Sequence, residues 1–414
     1  VTLEHLKRLE GEVLNALDEL GASQVSLALD HERADASAGE TVDPHQLLGI
    51  ELNPRAAAIT EVVLWIGYLQ WHFRTHGQVN PPQPVIRDFR NIENRDAVLA
   101  YDRVEYLSDE RGVPVTRWDG TTYRTSPVTG EQIPDESARI PVEHYVNPRK
   151  AEWPEADFVV GNPPFIGGWL IRSALGDGYV DALWSSHPHI PPKADFVMYW
   201  WNHAAELVRS NRLQAFGLIT TNSIGQIFQR RVIEHHCKAA DAPLSVVFAI
   251  PDHPWVDSAG GAAVRIAMTV GRAGKDHGRL LRVVRETTGG DEVSVELESE
   301  SGLINADMTI GADLTTCAAL QSNMGICSPG VQLYGRGFIV EAEEARKLIE
   351  QVDAEVANRI IRPYVNGRDL MQTSRGAYVI DFYGLERNDA ALLHPAAYQR
   401  VLDYVKPERD HNRR

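Results

Sequence analysis

A strand-like segment, Asp157 to Gly161, leads without a break into Asn162-Pro163-Pro164-Phe165, and this junction constrains the chain more than any other feature. Two successive prolines fix φ and donate no backbone hydrogen bond, so a buried strand has to end there. Pro163 also restricts Asn162 to extended conformations. A strand that stops abruptly and leaves a rigid turn at its carboxyl end is where open α/β sheets bind ligands. The plain alternative is a tight turn that merely leaves the strand.

The rest of the pattern alternates strands with helices. Residues 1–20 predict a helix, with Leu3, Leu6, Leu9, Val13 and Leu14 at helical spacing. Leu47 to Leu52 reads as a buried strand with the acidic Glu51 at its end. Asn53 then suits a helix N-cap and Pro54 the first turn of a helix with Ile59, Val62, Ile66 and Leu69 on one face. Residues 194–210 predict a helix and Ala215 to Thr220 a buried strand. Leu244 to Ile250 and Ala263 to Val270 are two more strands, joined by the loop PDHPWVDSAGG. This alternation implies an α/β fold: a doubly wound, Rossmann-like and largely parallel sheet covered on both faces, with the last two strands suited to an antiparallel hairpin at its edge.

Residues 101–155 are polar, with scattered Gly and Pro, and read as an inserted excursion of short hairpins. After about residue 275 the pattern changes to β-hairpins over 276–300 and a short helix over 341–352. The expected organisation is a domain over 1–275 carrying the 101–155 insertion, then a partly β C-terminal extension over 276–414.

Charge and cysteine content narrow the setting. Lys and Arg number 41 against 57 Asp and Glu, a net charge of −16, where nucleic-acid binders usually show a basic footprint. A local basic groove on an acidic body is compatible with this. Arg230-Arg231 and Arg409 to Arg414 are the basic clusters, and each taken singly reads as a solvated surface patch. Three scattered cysteines argue against a disulfide framework and fit a reducing, cytoplasmic setting. His235-His236-Cys237 is not read as a metal site, because adjacent helical residues point in different directions. The stretch from Ala56 to Trp71 is too short to span a bilayer, and VTLEHLKRLEGEV reads as an amphipathic helix with mixed charge, not a signal peptide.

Asn-Pro-Pro-Phe suits one kind of chemistry. An exocyclic amine on a heteroaromatic ring is a poor nucleophile because its lone pair is delocalised. Two acceptors on its hydrogens pull it towards tetrahedral geometry and localise that pair. The Asn162 side-chain oxygen and the Pro163 carbonyl can be those acceptors, preorganised by the two prolines. Phe165 offers a flat face for a planar base. Positioning against an activated methyl sulfonium then suffices, with no metal and no covalent nucleophile. A base in duplex DNA has to be flipped out, so a second stacking surface is expected. Trp255 is the candidate, with a partly buried loop aromatic as the alternative. Glu51 is placed to accept hydrogen bonds from cofactor ribose hydroxyls. Asp96-Ala97 could present a carboxylate to the cofactor's adenine amine, with a helix N-cap as the alternative.

The ordered set LLGIELNPRAAAITEVVLWIGYLQW, NIENRDAVL, EWPEADFVVGNPPFIGG, ADFVMYWWNHAAELV, FGLITTNSI and AAVRIAMTV resembles the large adenine-N6 DNA methyltransferases of the MmeI type and those of DISARM-type phage-defence systems. The insertion WDGTTYRTSPVTGEQIPDESARIPVEHYVNPRKAEWP is closer to the latter. The resemblance implies a class I methyltransferase sheet, S-adenosyl-L-methionine as cofactor, double-stranded DNA as partner, and a role in restriction-modification or phage defence with room for other defence-system subunits. It implies that Glu51 binds the cofactor ribose, that Asp96 contacts its adenine, and that Asn162, Pro163, Pro164 and Phe165 orient the flipped adenine. Family members carry a glycine-rich Phe-x-Gly-x-Gly-type turn after a first strand, immediately before a helix like VTLEHLKRLEGEV. That turn is absent, so the expectation is a chain starting just downstream of it and stopping where IIRPYVNGRDL and YVKPERDHNRR lead into a target-recognition domain. The competing expectations are an N-methyltransferase of protein glutamine or RNA guanine, and a non-catalytic DNA-docking piece.

Overall fold

The structure is a computed structural model that describes residues 2–19, 42–77, 91–125, 132–255, 264–289, 292–318, 320–323, 326, 332–367, 369, 375–407 and 409. Residues 256–263 of the expected loop and strand, the 410–414 part of the basic cluster, Cys327 and the Leu14 side chain lie outside the described residues. The chain forms two compact units. The first comprises residues 1–102, 147–171 and 182–315, and the second 103–146, 172–181 and 316–414.

The first unit opens with helix α1 (Thr2–Glu19) and strand β1 (Gly49–Glu51). Helix α2 (Pro54–His76) follows, and its N-cap is Asn53, whose side chain accepts from the backbone amides of Arg55 and Ala56. Pro54 at the first helical position has no amide hydrogen to leave unsatisfied, so the sequence signals the start correctly. Strand β2 (Ile92–Asn94) pairs in parallel with β1 as a separate two-stranded sheet. The expected apolar stripe on α2 is open: Ile59, Val62 and Ile66 are all exposed.

Among the described residues the main sheet has six strands: β3 (Phe158–Gly161), β4 (Ala215–Thr221), β5 (Leu244–Trp255), β6 (Val264–Ala273), β7 (Gly278–Gly289) and β8 (Glu292–Gly302). Their spatial order is β3-β4-β6-β5-β7-β8. Strands β3 and β4 are parallel, as are β5 and β7, whereas β6 runs antiparallel to both β4 and β5, and β8 antiparallel to β7. The sheet is therefore mixed, not largely parallel. The β5–β6 pair is antiparallel as expected but sits in the interior, because β6 turns back and inserts between β4 and β5. The expected boundary near residue 275 falls inside this sheet, which continues through Gly302.

Helix α3 (Val197–Arg209) packs on the sheet and on helix α4 (Ile227–Cys237). Its Trp201 is fully buried, meets Phe216 of β4 edge-on and donates Nε1–H to Thr269 Oγ1 on β6 at 3.2 Å. Burying an aromatic side chain of this size contributes about 2–3 kcal/mol. A polar layer lies beside it. Arg209 approaches His236 Nδ1 at 3.3 Å, and His236 Nε2 lies 2.9 Å from Asn202 Oδ1. Since Arg can only donate, the proton sits on Nε2 and the ring is neutral. Burial pushes His236 down to about 3, and His187 and His203 down to about 4.

The second unit contains three two-stranded antiparallel pairs, Arg103–Tyr106 with Glu143–Val146, Thr116–Trp118 with Arg139–Pro141, and Tyr123–Thr125 with Gln132–Pro134. Its core is the cluster of Val340, Leu348, Ile360, Ile361 and Ile380, covered by a short three-stranded sheet and the helices Ala342–Ile349 and Pro395–Arg400.

Candidate active site

Strands β3 and β4 lie side by side in parallel, with Gly161 opposite Leu218, so both release their chains at one edge of the sheet. Asn162 to Phe165 leave β3 there. Pro163 is buried, while Asn162 and Pro164 are exposed and Phe165 shows 37% of its surface. Among the described residues nothing hydrogen-bonds the Asn162 side chain, so its oxygen is free to accept from a ligand. One buried proline anchors the turn, and the polar group and the ring face outward.

The turn is held by a carboxylate 33 positions further along. Asp195, buried at the entry to α3, accepts the Gly168 amide hydrogen on Oδ1 at 3.0 Å. Its Oδ2 accepts from Thr221 Oγ1 at 3.0 Å and from Ser223 Oγ at 2.7 Å. Gln229 Nε2 donates to Ser223 Oγ at 3.1 Å, and the Phe196 amide donates to Ile166 O at 2.8 Å. Asp195 thus ties the segment after Phe165 to the carboxyl end of β4. Gly168 is needed because a Cβ there would lie 2.2 Å from the Lys193 carbonyl oxygen. Asp195, Thr221 and Ser223 carry no motif that marks them as site residues in the sequence. The available signal was Gly167-Gly168 directly behind the motif and the run of hydroxyl and amide side chains, Thr220 to Ser223, closing β4.

Glu51 ends β1, and its Oε1 accepts the Asn53 amide hydrogen at 2.8 Å. Asn94, opposite it on β2, donates to the carbonyl oxygens of Glu51 and Leu52 at 2.8 and 2.9 Å. The backbone at this strand end is therefore fixed, and the half-buried Glu51 side chain is held beside it by the Asn53 amide. Asp96 Oδ1 accepts from the amides of Val98 and Leu99 at 2.8 and 3.1 Å. It caps a turn into the strand Leu99–Ala100, where a helix start was the alternative expectation. The Ala97 carbonyl accepts from Trp153 Nε1 at 2.7 Å.

Trp255 is the last residue of β5 and not a loop residue, opposite Val264 of β6 and 42% exposed. Since β6 is antiparallel to both β4 and β5, the carboxyl end of β5 shares the sheet edge with those of β3 and β4. Three strand spacings, about 14 Å, separate β5 from β3 along that edge. Glu51 and Asp96 stand by the β1–β2 pair, the tetrapeptide and Trp255 on the larger sheet.

Among the described residues no group of three or more His, Cys, Asp or Glu is arranged to hold a metal ion. The His235-His236-Cys237 side chains diverge: His235 stacks on His189, His236 bonds Asn202, and burial pushes the Cys237 thiol up to about 12. Among the described residues no helix is long and apolar enough to cross a membrane.

A family model described as the DNA-methyltransferase domain of MmeI matches residues 1–282. A solved structure of the Type IIL restriction-modification enzyme MmeI in complex with DNA is similar at 21% identity and a TM-score of 0.41, over 59% of this chain and 32% of that one. The chain thus spans about a third of the length of that enzyme. No curated protein matches the chain.

Proposed function

The chain belongs to the MmeI DNA-methyltransferase domain family, and from that premise we propose that it transfers a methyl group from S-adenosyl-L-methionine to the N6 amine of an adenine flipped out of double-stranded DNA. The observation that carries this reading is the Asn162–Phe165 turn. It combines a buried Pro163, an uncommitted Asn162 amide oxygen and a half-open Phe165 ring at the carboxyl edge of two parallel strands. Asn162 Oδ1 and the Pro163 carbonyl oxygen accept the two amine hydrogens and localise the nitrogen lone pair. Phe165 stacks on the base, and Trp255 supports the flipped nucleotide from the same sheet edge. Pro164 keeps the acceptors aimed without reorganisation.

The residues fit the cofactor on their own chemistry. The Glu51 carboxylate stands at a strand end whose backbone Asn94 fixes, which suits the paired hydroxyls of a ribose. Asp96 and Ala97 line the neighbouring strand end and suit the adenine. When bound, the cofactor supplies a methyl carbon activated by its sulfonium sulfur. The chain supplies acceptors, stacking surfaces and alignment.

The setting we propose is restriction-modification or phage defence in the cytoplasm, in a DNA-bound protein that can include other defence subunits. We place the catalytic groups within residues 1–275, with 101–155 inserted, and assign target recognition to the region that follows the last strand of the main sheet after Gly302. The deciding experiment is incubation of the full-length protein with DNA and labelled S-adenosyl-L-methionine, followed by mass spectrometry of the nucleosides. N6-methyladenine is the expected product. Label found only in protein glutamine or RNA guanine, or in nothing, overturns the reading.

A further inference from the structure

We infer that Trp169 and Lys193 form a fixed contact for the DNA strand that flanks the target base; the inference rests on the reading that the substrate is DNA. Trp169 is 78% exposed and follows the motif by four residues. An indole left this open forgoes most of its burial energy, and it offers a preset stacking face where its backbone is fixed. Here it is fixed. The Leu170 amide closes a turn onto the Gly167 carbonyl oxygen at 2.8 Å, the Gly168 amide is held by Asp195, and Gly168 lies flush against the Lys193 backbone. The same rivet that holds the motif therefore brings the Trp169 and Lys193 side chains out together.

The pairing has a chemical direction. Lys193 Nζ lies 4.4 Å from the centre of the Trp169 ring and 5.6 Å from that of Phe228, so the ammonium is held by two aromatic faces. Exposed Leu170 and Ile227 continue the apolar rim. A flat apolar face beside a held cation is complementary to a nucleotide: base or sugar lies on the indole, and phosphate meets the ammonium. On a chain of net charge −16, a cation presented beside the reaction centre selects an anionic partner locally. The occupant is the strand adjoining the flipped nucleotide.

The test uses the full-length protein with Trp169→Ala, Trp169→Phe and Lys193→Ala, titrated with a fluorescent duplex across a range of salt concentrations. Lys193→Ala is expected to weaken binding for every sequence and to reduce the slope of log K against log salt by about 1. Trp169→Ala is expected to weaken binding roughly tenfold with the slope unchanged, and Trp169→Phe to recover most of it. Cofactor affinity and thermal midpoint should stay at wild-type values. Wild-type DNA affinity and slope in both alanine variants, alongside a wild type that binds DNA, overturn this contact and leave the functional reading standing. A wild type that binds no duplex overturns both. Loss of self-association in Trp169→Ala with DNA binding intact assigns the patch to a second copy of the chain and likewise overturns the contact.

Discussion

Asp195 accepts the Gly168 amide hydrogen at 3.0 Å, and through this bond a buried carboxylate fixes the backbone just behind the Asn162–Phe165 turn. Its other oxygen serves Thr221 and Ser223, so one side chain coordinates three donors from two segments. Asp195→Ala leaves these donors without their acceptor. Each lost bond in such a setting costs about 1 kcal/mol or more, so a stability loss of about 3 kcal/mol is expected in urea unfolding. Asp195→Asn keeps the shape but turns an acceptor into a donor. It should lower methyl-transfer kcat at least about tenfold, as displaced catalytic groups do, while KM for cofactor changes little. A kcat equal to wild type in Asp195→Asn removes the positioning role.

Asn162 contrasts with Asp195, because its side chain is exposed and supports nothing among the described residues. Asn162→Ala is therefore expected to leave the unfolding midpoint unchanged. Turnover should fall about a hundredfold or more, the scale associated with deleting a preorganised hydrogen-bond partner of a transition state. Cofactor affinity, measured by calorimetry, should remain near wild type. Turnover within a factor of two of wild type shows that Asn162 does not hold the amine.

Gly168→Ala probes the same junction from the backbone side. The added Cβ would sit 2.2 Å from the Lys193 carbonyl oxygen and 3.0 Å from that of Ala194, and neither backbone can yield like the end of a flexible side chain. The turn must shift, which breaks the Asp195 bond. Loss of stability of about 1–3 kcal/mol is expected, in the range for overpacking, together with faster hydrogen exchange across 166–169. An unchanged exchange pattern contradicts the tight docking. The substitution Gly67→Ala is the control, since its Cβ meets nothing within 4 Å and the site is helical.

The parts of the site carried by local chemistry were legible in the sequence, and the parts carried by long-range contacts were not. Two prolines after a strand-like segment locate the end of β3, and Asn53-Pro54 locates the start of α2, because φ restriction and capping act within a few residues. Asp195 and Gly168 are 27 positions apart and share no periodicity, so their bond becomes visible only in the fold. The insertion of β6 between β4 and β5 was equally hidden, because a strand's residues do not record the direction of its neighbours; nor did they record burial in β3, which is an edge strand with Phe158 and Val160 exposed and not the buried strand expected. The change in pattern near residue 275 reflects the largely exposed β7–β8 hairpin, whose Arg282, Arg285, Glu296, Glu298 and Glu300 read as a new region although the hydrogen-bond ladder continues through them.

The buried histidines predict how the fold responds to acid. His187 and His203 are held near 4 and His236 near 3, because burial disfavours the charged ring. His187 Nε2 and His203 Nδ1 have no hydrogen-bond partner among the described residues, as neutral rings in a packed layer tolerate. Lys150, Arg209 and Arg212 face the layer as cations, and Glu206, bonded to Lys150 at 2.5 Å, and Asp96 as anions. A lowered folded pKa means that the unfolded chain takes up protons first. The contribution of the three rings is complete above about pH 7 and is lost as pH falls from about 6.5 towards 4. Between pH 7 and 5 each ring costs about 2 kcal/mol, so the urea midpoint should fall steeply over that interval. His203→Phe should flatten the profile by one proton. A midpoint independent of pH from 7 to 5 means that these rings are protonated in the folded protein.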